Sequence, residues 1–246
     1  MFTVESKSQL AKLLASENII VEHKTIPTAY FNLKTRTLSC PIWKDMSGDL
    51  YDLLMGHEVS HALYTPEAGW HDAICEEGMR FKGFLNVIED ARIEKKIKRK
   101  YPGIKKSFLK AYAELLDRDF FGIGGRDINQ FHFIDKVNLH TKTGMQFEFS
   151  DVEQTMLDRV KACETWEDVV ACAKEIFEYS KEEQQTQQTN PDYGDMQLPD
   201  MDDFEDDDSD ILEDKDQEED ESEDELSGSS EELKDSEEFE DDDEYE

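Results

Sequence analysis

The sequence predicts an α+β protein, a mainly helical domain with a small N-terminal antiparallel sheet, followed by a disordered acidic tail. Three observations carry this reading. Apolar residues recur at helical spacing in several segments between residues 5 and 181. One early stretch, IIVEHKTIPTAYFNLKTRTLSCPIW, is rich in β-branched and aromatic residues instead. The charge is also uneven. Of a formal net charge of -34, residues 192–246 hold 31 acids against two lysines, or 29 net negative charges, which leaves the other 191 residues at -5. The boundaries that follow are a domain over residues 1–183 and a polar linker and acidic tail over 184–246. A tail with so little apolar surface repels itself and gains too little from burial to order.

In chain order, Leu10, Leu13 and Leu14 mark a short amphipathic helix over Glu5–Ser16. TAYF and TLSCPIW flank the polar NLKTR and read as an antiparallel hairpin, with a further strand at Ile19–Thr25. Ser47 offers an N-cap and Asp49 a first-turn acid to a helix that runs to Tyr64. Thr65-Pro66 ends it, because the residue before proline avoids helical geometry. EAGWHD reads as a loop, and a long helix spans Ile74 to Lys100 up to the stop YPG. Further helices are expected at Lys105–Arg118, Val152–Cys163 and Trp166–Lys181, the last capped by Thr165 with Asp168 three positions on. GIGGRDINQFHFIDKVNL carries no clear period.

Composition excludes several functions. Strong acidity argues against direct nucleic-acid binding, which needs Lys and Arg to replace phosphate counterions. No stretch approaches the roughly 18 apolar residues of a membrane helix, and MFTVESKSQL is not a signal peptide. Cys40, Cys75, Cys163 and Cys172 show no metal spacing and read as reduced, mostly buried thiols, so a cytoplasmic location is expected.

The chemistry centres on HEVSH, which matches H-E-x-x-H. His57 and His61 lie one helical turn apart and can reach one ion from the same face. Leu50, Leu53, Leu54 and Tyr64 share their stripe, so the imidazoles lie on a buried face. A single histidine there is an ordinary core residue. Two beside a carboxylate are costly to bury without a shared partner, and a metal is the simplest one.

On the next long helix, Glu89 falls at the border of the stripe Phe81, Phe84, Leu85, Ile88 and Ala91, while Asp90 points nearly the opposite way. Glu89 is therefore expected as the third ligand, giving a His₂Glu zinc set with one position open to water. Glu58 is then the general base that deprotonates that water, and peptide-bond hydrolysis follows as the reaction class. Asp90 and Asn86 are candidates for orienting an imidazole, and His71 and Tyr64 for stabilising an oxyanion. Arg92, inside the apolar stripe, is expected to pair with a buried carboxylate. An edge of the hairpin, at Ala29–Leu33 or Thr37–Pro41, offers backbone pairing to an extended peptide.

HEVSHALYTP followed by NVIEDARIEKKIKRKYPG resembles the N-terminal metallopeptidase-like region of phage and bacterial proteins related to the cobaltochelatase CobT type. In those proteins an acidic linker and a von Willebrand factor A domain often follow; no D-x-S-x-S site of that domain occurs here. The resemblance spans Leu50–Gly103 closely and Glu5–Lys181 loosely. It implies a zincin-like fold, His57, His61 and Glu89 as zinc ligands and Glu58 as base. It also implies an AAA+ ATPase of the MoxR type as a partner, and the host cytoplasm as the compartment of a phage-encoded chain. The competing reading is a catalytically inactive, metal-stabilised interaction protein that acts through its acidic tail.

Overall fold

The computed structural model of the protein describes residues 19–187, with side chains to residue 182. The expected helix at Glu5–Ser16 and the acidic tail lie outside the described residues. Three short strands come first: β1 (Ile20–Lys24), β2 (Tyr30–Asn32) and β3 (Thr37–Pro41). β2 and β3 form the expected hairpin, with Phe31 opposite Leu38. β1 pairs parallel to β3, with Ile20 opposite Thr37, so the sheet is mixed rather than antiparallel and its order is β1-β3-β2. Burial explains which strand is central. Leu38 to Pro41 are all buried, whereas β1 carries Glu22 and Lys24 and stays partly wet, as suits an edge.

Seven helices follow in the described residues: α1 (Gly48–Tyr64), α2 (Glu67–Glu77), α3 (Met79–Lys100), α4 (Lys105–Asp117), α5 (Phe133–Thr143), α6 (Asp151–Ala162) and α7 (Trp166–Gln187). Ser47 caps α1 as expected, its Oγ accepting from Leu50 N at 2.9 Å. Thr165 and Asp168 cap α7 reciprocally. Three expectations change. EAGWHD is helical and belongs to α2, which Gly78 separates from α3 by adopting φ +87°, a conformation that favours glycine. The segment without a clear period contains the start of α5, which runs on to Thr143. The expected linker from residue 184 begins inside α7, which continues to Gln187.

α3 is the central helix, packing against α1, α2, α5, α6 and α7. On one side Phe81 and Phe84 meet Phe177 of α7 edge-on, with centroids 5.6 and 5.1 Å away. On another, Ile97 joins Leu50, Leu53 and Leu54 of α1 and Phe108, Ala111, Tyr112 and Leu115 of α4 in one core. α1 and α4 approach closely at Gly56, where a Cβ would lie 2.9 Å from the Phe108 ring. Every residue of α1 from Leu53 to Ala62 is buried. This span therefore has no wet face, and its polar side chains must find partners inside the protein. All four cysteines are free, Cys75 exposed and the others buried. No helix among the described residues is long and apolar enough to cross a membrane.

Candidate metal centre

α1 places His57 and His61 on the side facing α3, their rings 5.1 Å apart edge-to-face and both fully buried. The carboxylate that meets them is Asp90. Its Oδ1 lies 3.5 Å from His57 Nε2 and 3.3 Å from His61 Nε2. One ligand atom from each of the three residues lies within 4.8 Å of the other two.

Hydrogen bonding on the far side of each ring fixes what those nitrogens offer. His57 Nδ1 is 3.0 Å from Glu94 Oε1, which also accepts from the Tyr112 hydroxyl. Burial pushes the Glu94 carboxyl up, but the Lys98 ammonium and the His57 imidazole outweigh it and hold the group down at about 2. Glu94 is thus a carboxylate, it can only accept, and His57 Nδ1 carries the proton. His61 Nδ1 is 2.9 Å from Thr65 Oγ1, and that hydroxyl gives its single proton to Glu89 Oε1 at 2.6 Å. Thr65 must therefore accept from His61, which puts the proton on Nδ1 there as well. With each Nδ1 committed to its oxygen partner, Nε2 is the ring atom that faces Asp90 Oδ1 in both histidines.

Two imidazole nitrogens and a carboxylate converging in a buried space could hold a metal ion. The spacing fits one. Ligand atoms set tetrahedrally around zinc at bonds of about 2.0–2.2 Å lie about 3.3–3.6 Å from each other, and both imidazole-to-Asp90 distances fall in that range. The rings are also held by their other nitrogens to oxygen atoms, the usual support for a metal-binding histidine. Asn86, one turn before Asp90 on α3, is buried with neither amide atom hydrogen-bonded, as is Asn138 Oδ1 on α5. Such groups in a native interior point to a ligand, ion or water that completes them.

Glu89, expected as the third ligand, is held elsewhere. Arg92 grips both its oxygens, Nε to Oε2 at 2.7 Å and Nη2 to Oε1 at 2.6 Å, so Arg92 does pair with a buried carboxylate. With Thr65, Glu89 forms the chain that orients His61. Asp90, expected only to orient a ring, stands at both Nε2 atoms. Its second oxygen lies 2.6 Å from Lys142 Nζ of α5, in an ion pair buried on both sides. Glu58 is fully buried and outside the three-residue cluster. Burial raises the Cys40 thiol of β3 far above its ordinary range, and the charge of nearby Glu58 raises it further.

Neither oxyanion candidate meets the ligand side chains. His71 is exposed on α2 with Nε2 3.6 Å from Cys75 Sγ, and the Tyr64 ring lies under Lys96 Nζ at 5.3 Å. Of the two strands offered for peptide pairing, β3 is paired on both sides, which closes it to a substrate; β2 is an edge, with Tyr30 and Phe31 buried. Sequence reasoning missed Thr65, Glu94, Tyr112 and Lys142. Glu94 had a signal, because it follows Asp90 by one turn. Lys142 had none, since its helix was not recognised.

No family model, curated protein or solved structure matches the chain.

Proposed function

We propose that the chain is a metal-dependent peptide hydrolase whose divalent ion, zinc by its donor set, is held by His57, His61 and Asp90. The observation that carries the reading is the convergence of two Nε2 atoms on Asp90 Oδ1 at 3.3 and 3.5 Å, each ring held by its Nδ1 to an oxygen. Two imidazoles and one carboxylate are the ligand types of hydrolytic zinc sites, which leave a fourth position open. When bound there, the ion supplies Lewis acidity that activates water and polarises a carbonyl.

The chain's own groups do the rest. Glu94 and Thr65 keep both Nδ1 atoms protonated and the rings in place. Glu58, next to His57 in HEVSH and fully buried, would serve as the base that takes a proton from water and returns it to the leaving amine. The Lys142 ammonium balances the Asp90 charge in a low-dielectric interior. Asn86 offers a carbonyl and an amide from the turn before Asp90.

Complete burial of His57, Glu58 and His61 favours a second reading, in which the ion stabilises the fold and nothing is cut. Glu58→Gln separates the two, since it keeps the shape and removes the base. The hydrolase reading expects bound metal unchanged and peptide cleavage reduced at least about a hundredfold. Cleavage at the wild-type rate in Glu58→Gln, or none in the metal-loaded wild type over a broad peptide library, would sink it.

A further inference from the structure

A cavity of about 450 Å³ opens between α3, α4, α5 and α6, and Asp90 and Lys142 form part of its wall. Its size is that of a ligand site. Six cationic side chains line it: Lys95, Lys98 and Arg99 from α3, Lys105 from α4, Lys142 from α5 and Lys161 from α6. A run of basic residues at the end of α3 alone would be explained by the helix dipole. Lys142 and Lys161 likewise sit in the last turns of α5 and α6, but dipoles do not account for these helix ends meeting Lys105, in the first turn of α4, around one cavity.

Their pairing shows how much of this charge is available. Lys142 is matched by Asp90 and Lys98 by Glu94, at 2.6 and 2.5 Å. Lys95 and Arg99 share Glu164, at 3.1 and 2.7 Å. Lys105 and Lys161 are exposed and have no side-chain partner among the described residues. Six cations thus face three carboxylates, an excess of three positive charges in one concavity of a chain whose net charge is -34. Like charges held together around a cavity repel each other unless an anion joins them.

We infer that this cavity binds an acidic stretch of polypeptide, and that Asp- and Glu-rich peptides are the substrate class of the hydrolase. The second clause rests on the function proposed above; the first does not. A long nucleic acid is disfavoured because the rest of the chain repels an extended polyanion, whereas a few carboxylates entering the cavity meet a wall whose cations outnumber its acids. Lys142 is the most buried of these cations and pairs with the candidate metal ligand Asp90, so an acidic residue held by the outer cations places the neighbouring peptide bond on the side of the metal centre.

The test measures fluorescence anisotropy of a labelled Asp/Glu decapeptide, and of its Asn/Gln counterpart, with the full-length chain and a Lys105→Glu/Lys161→Glu variant. Both lysines are exposed and outside the ligand set, so a thermal melt matching wild type controls for folding. The acidic peptide is expected to bind, to weaken as salt is raised, and to lose about tenfold or more in affinity in the variant. Three results overturn the inference: equal affinity for the Asn/Gln peptide, unchanged affinity in the variant, or displacement by inorganic phosphate at concentrations where acetate has no effect, which would mark a phosphate site. Binding is also measured in Glu58→Gln. Acidic-peptide binding there and in wild type, with no cleavage by wild type, removes the hydrolase alone; cleavage indifferent to acidic residues removes the substrate class alone.

Discussion

Thr65 shows how much of the centre depends on single atoms. Its one hydroxyl proton goes to Glu89, so it must accept from His61 and thereby sets the tautomer that turns Nε2 inward. Thr65→Val keeps the volume and removes that link. Metal affinity is expected to fall about 10–100-fold, as measured by competition with a chelating dye. Lys142 supplies a second test at this scale. Lys142→Met leaves Asp90 buried without its cation, which costs about 3–5 kcal/mol, and added zinc should restore much of that by replacing the lost charge. Thermal melts with and without zinc check this; equal loss in both would mean that Lys142 and the metal site are independent. The histidine pair and the need for a third ligand were legible in HEVSH. Which of two adjacent acids faces the imidazoles was misread, because both were placed against a single apolar stripe. The choice turned on Arg92 and Thr65, whose hold on Glu89 exists only in three dimensions.

At the scale of elements, α1 and α3 defeat a one-stripe reading. A helix at the surface has one apolar face, and the sequence reading placed ligands relative to that face. α3 has two buried sides: Phe81 and Phe84 turn to α7, while Asn86, Asp90 and Glu94, spaced one turn apart, turn toward the polar interior. Caps and stops were local and so were readable, as Ser47, Thr165 and Pro66 show. The split at Gly78 was missed because a φ of +87° leaves no trace in hydrophobic period. Gly78→Ala is expected to cost about 1–3 kcal/mol by forcing a side chain into that conformation. Gly56→Ala is expected to cost about 1–3 kcal/mol by overpacking against Phe108, and to weaken metal binding too, since it displaces the turn that carries His57. Denaturant titration measures both; no change for Gly56→Ala would mean that α4 shifts freely against α1.

Across the whole molecule, the interior combines a conventional apolar core with a buried polar layer that links α1, α3, α4 and α5. Glu94 belongs to that layer, and its acid response has a definite sign. Its folded carboxyl is held at about 2, below the ordinary 4.5, so folding favours the ionised form. The resulting stability is fully present above about pH 4.5 and is lost as pH falls toward 2. Wild type should therefore lead Glu94→Gln by a constant margin in thermal melts above that window and converge with it below. A gap that persists unchanged at pH 2 would show that packing, not charge, separates them.

The claim on which the rest depends is that His57, His61 and Asp90 hold one divalent ion. Metal analysis of the purified chain beside Asp90→Ala and Glu89→Ala addresses it directly. The arrangement predicts about one zinc per wild-type chain, loss in Asp90→Ala, and a retained though weakened ion in Glu89→Ala. Retention in Asp90→Ala together with loss in Glu89→Ala, or a folded wild type that takes up no metal, would contradict it.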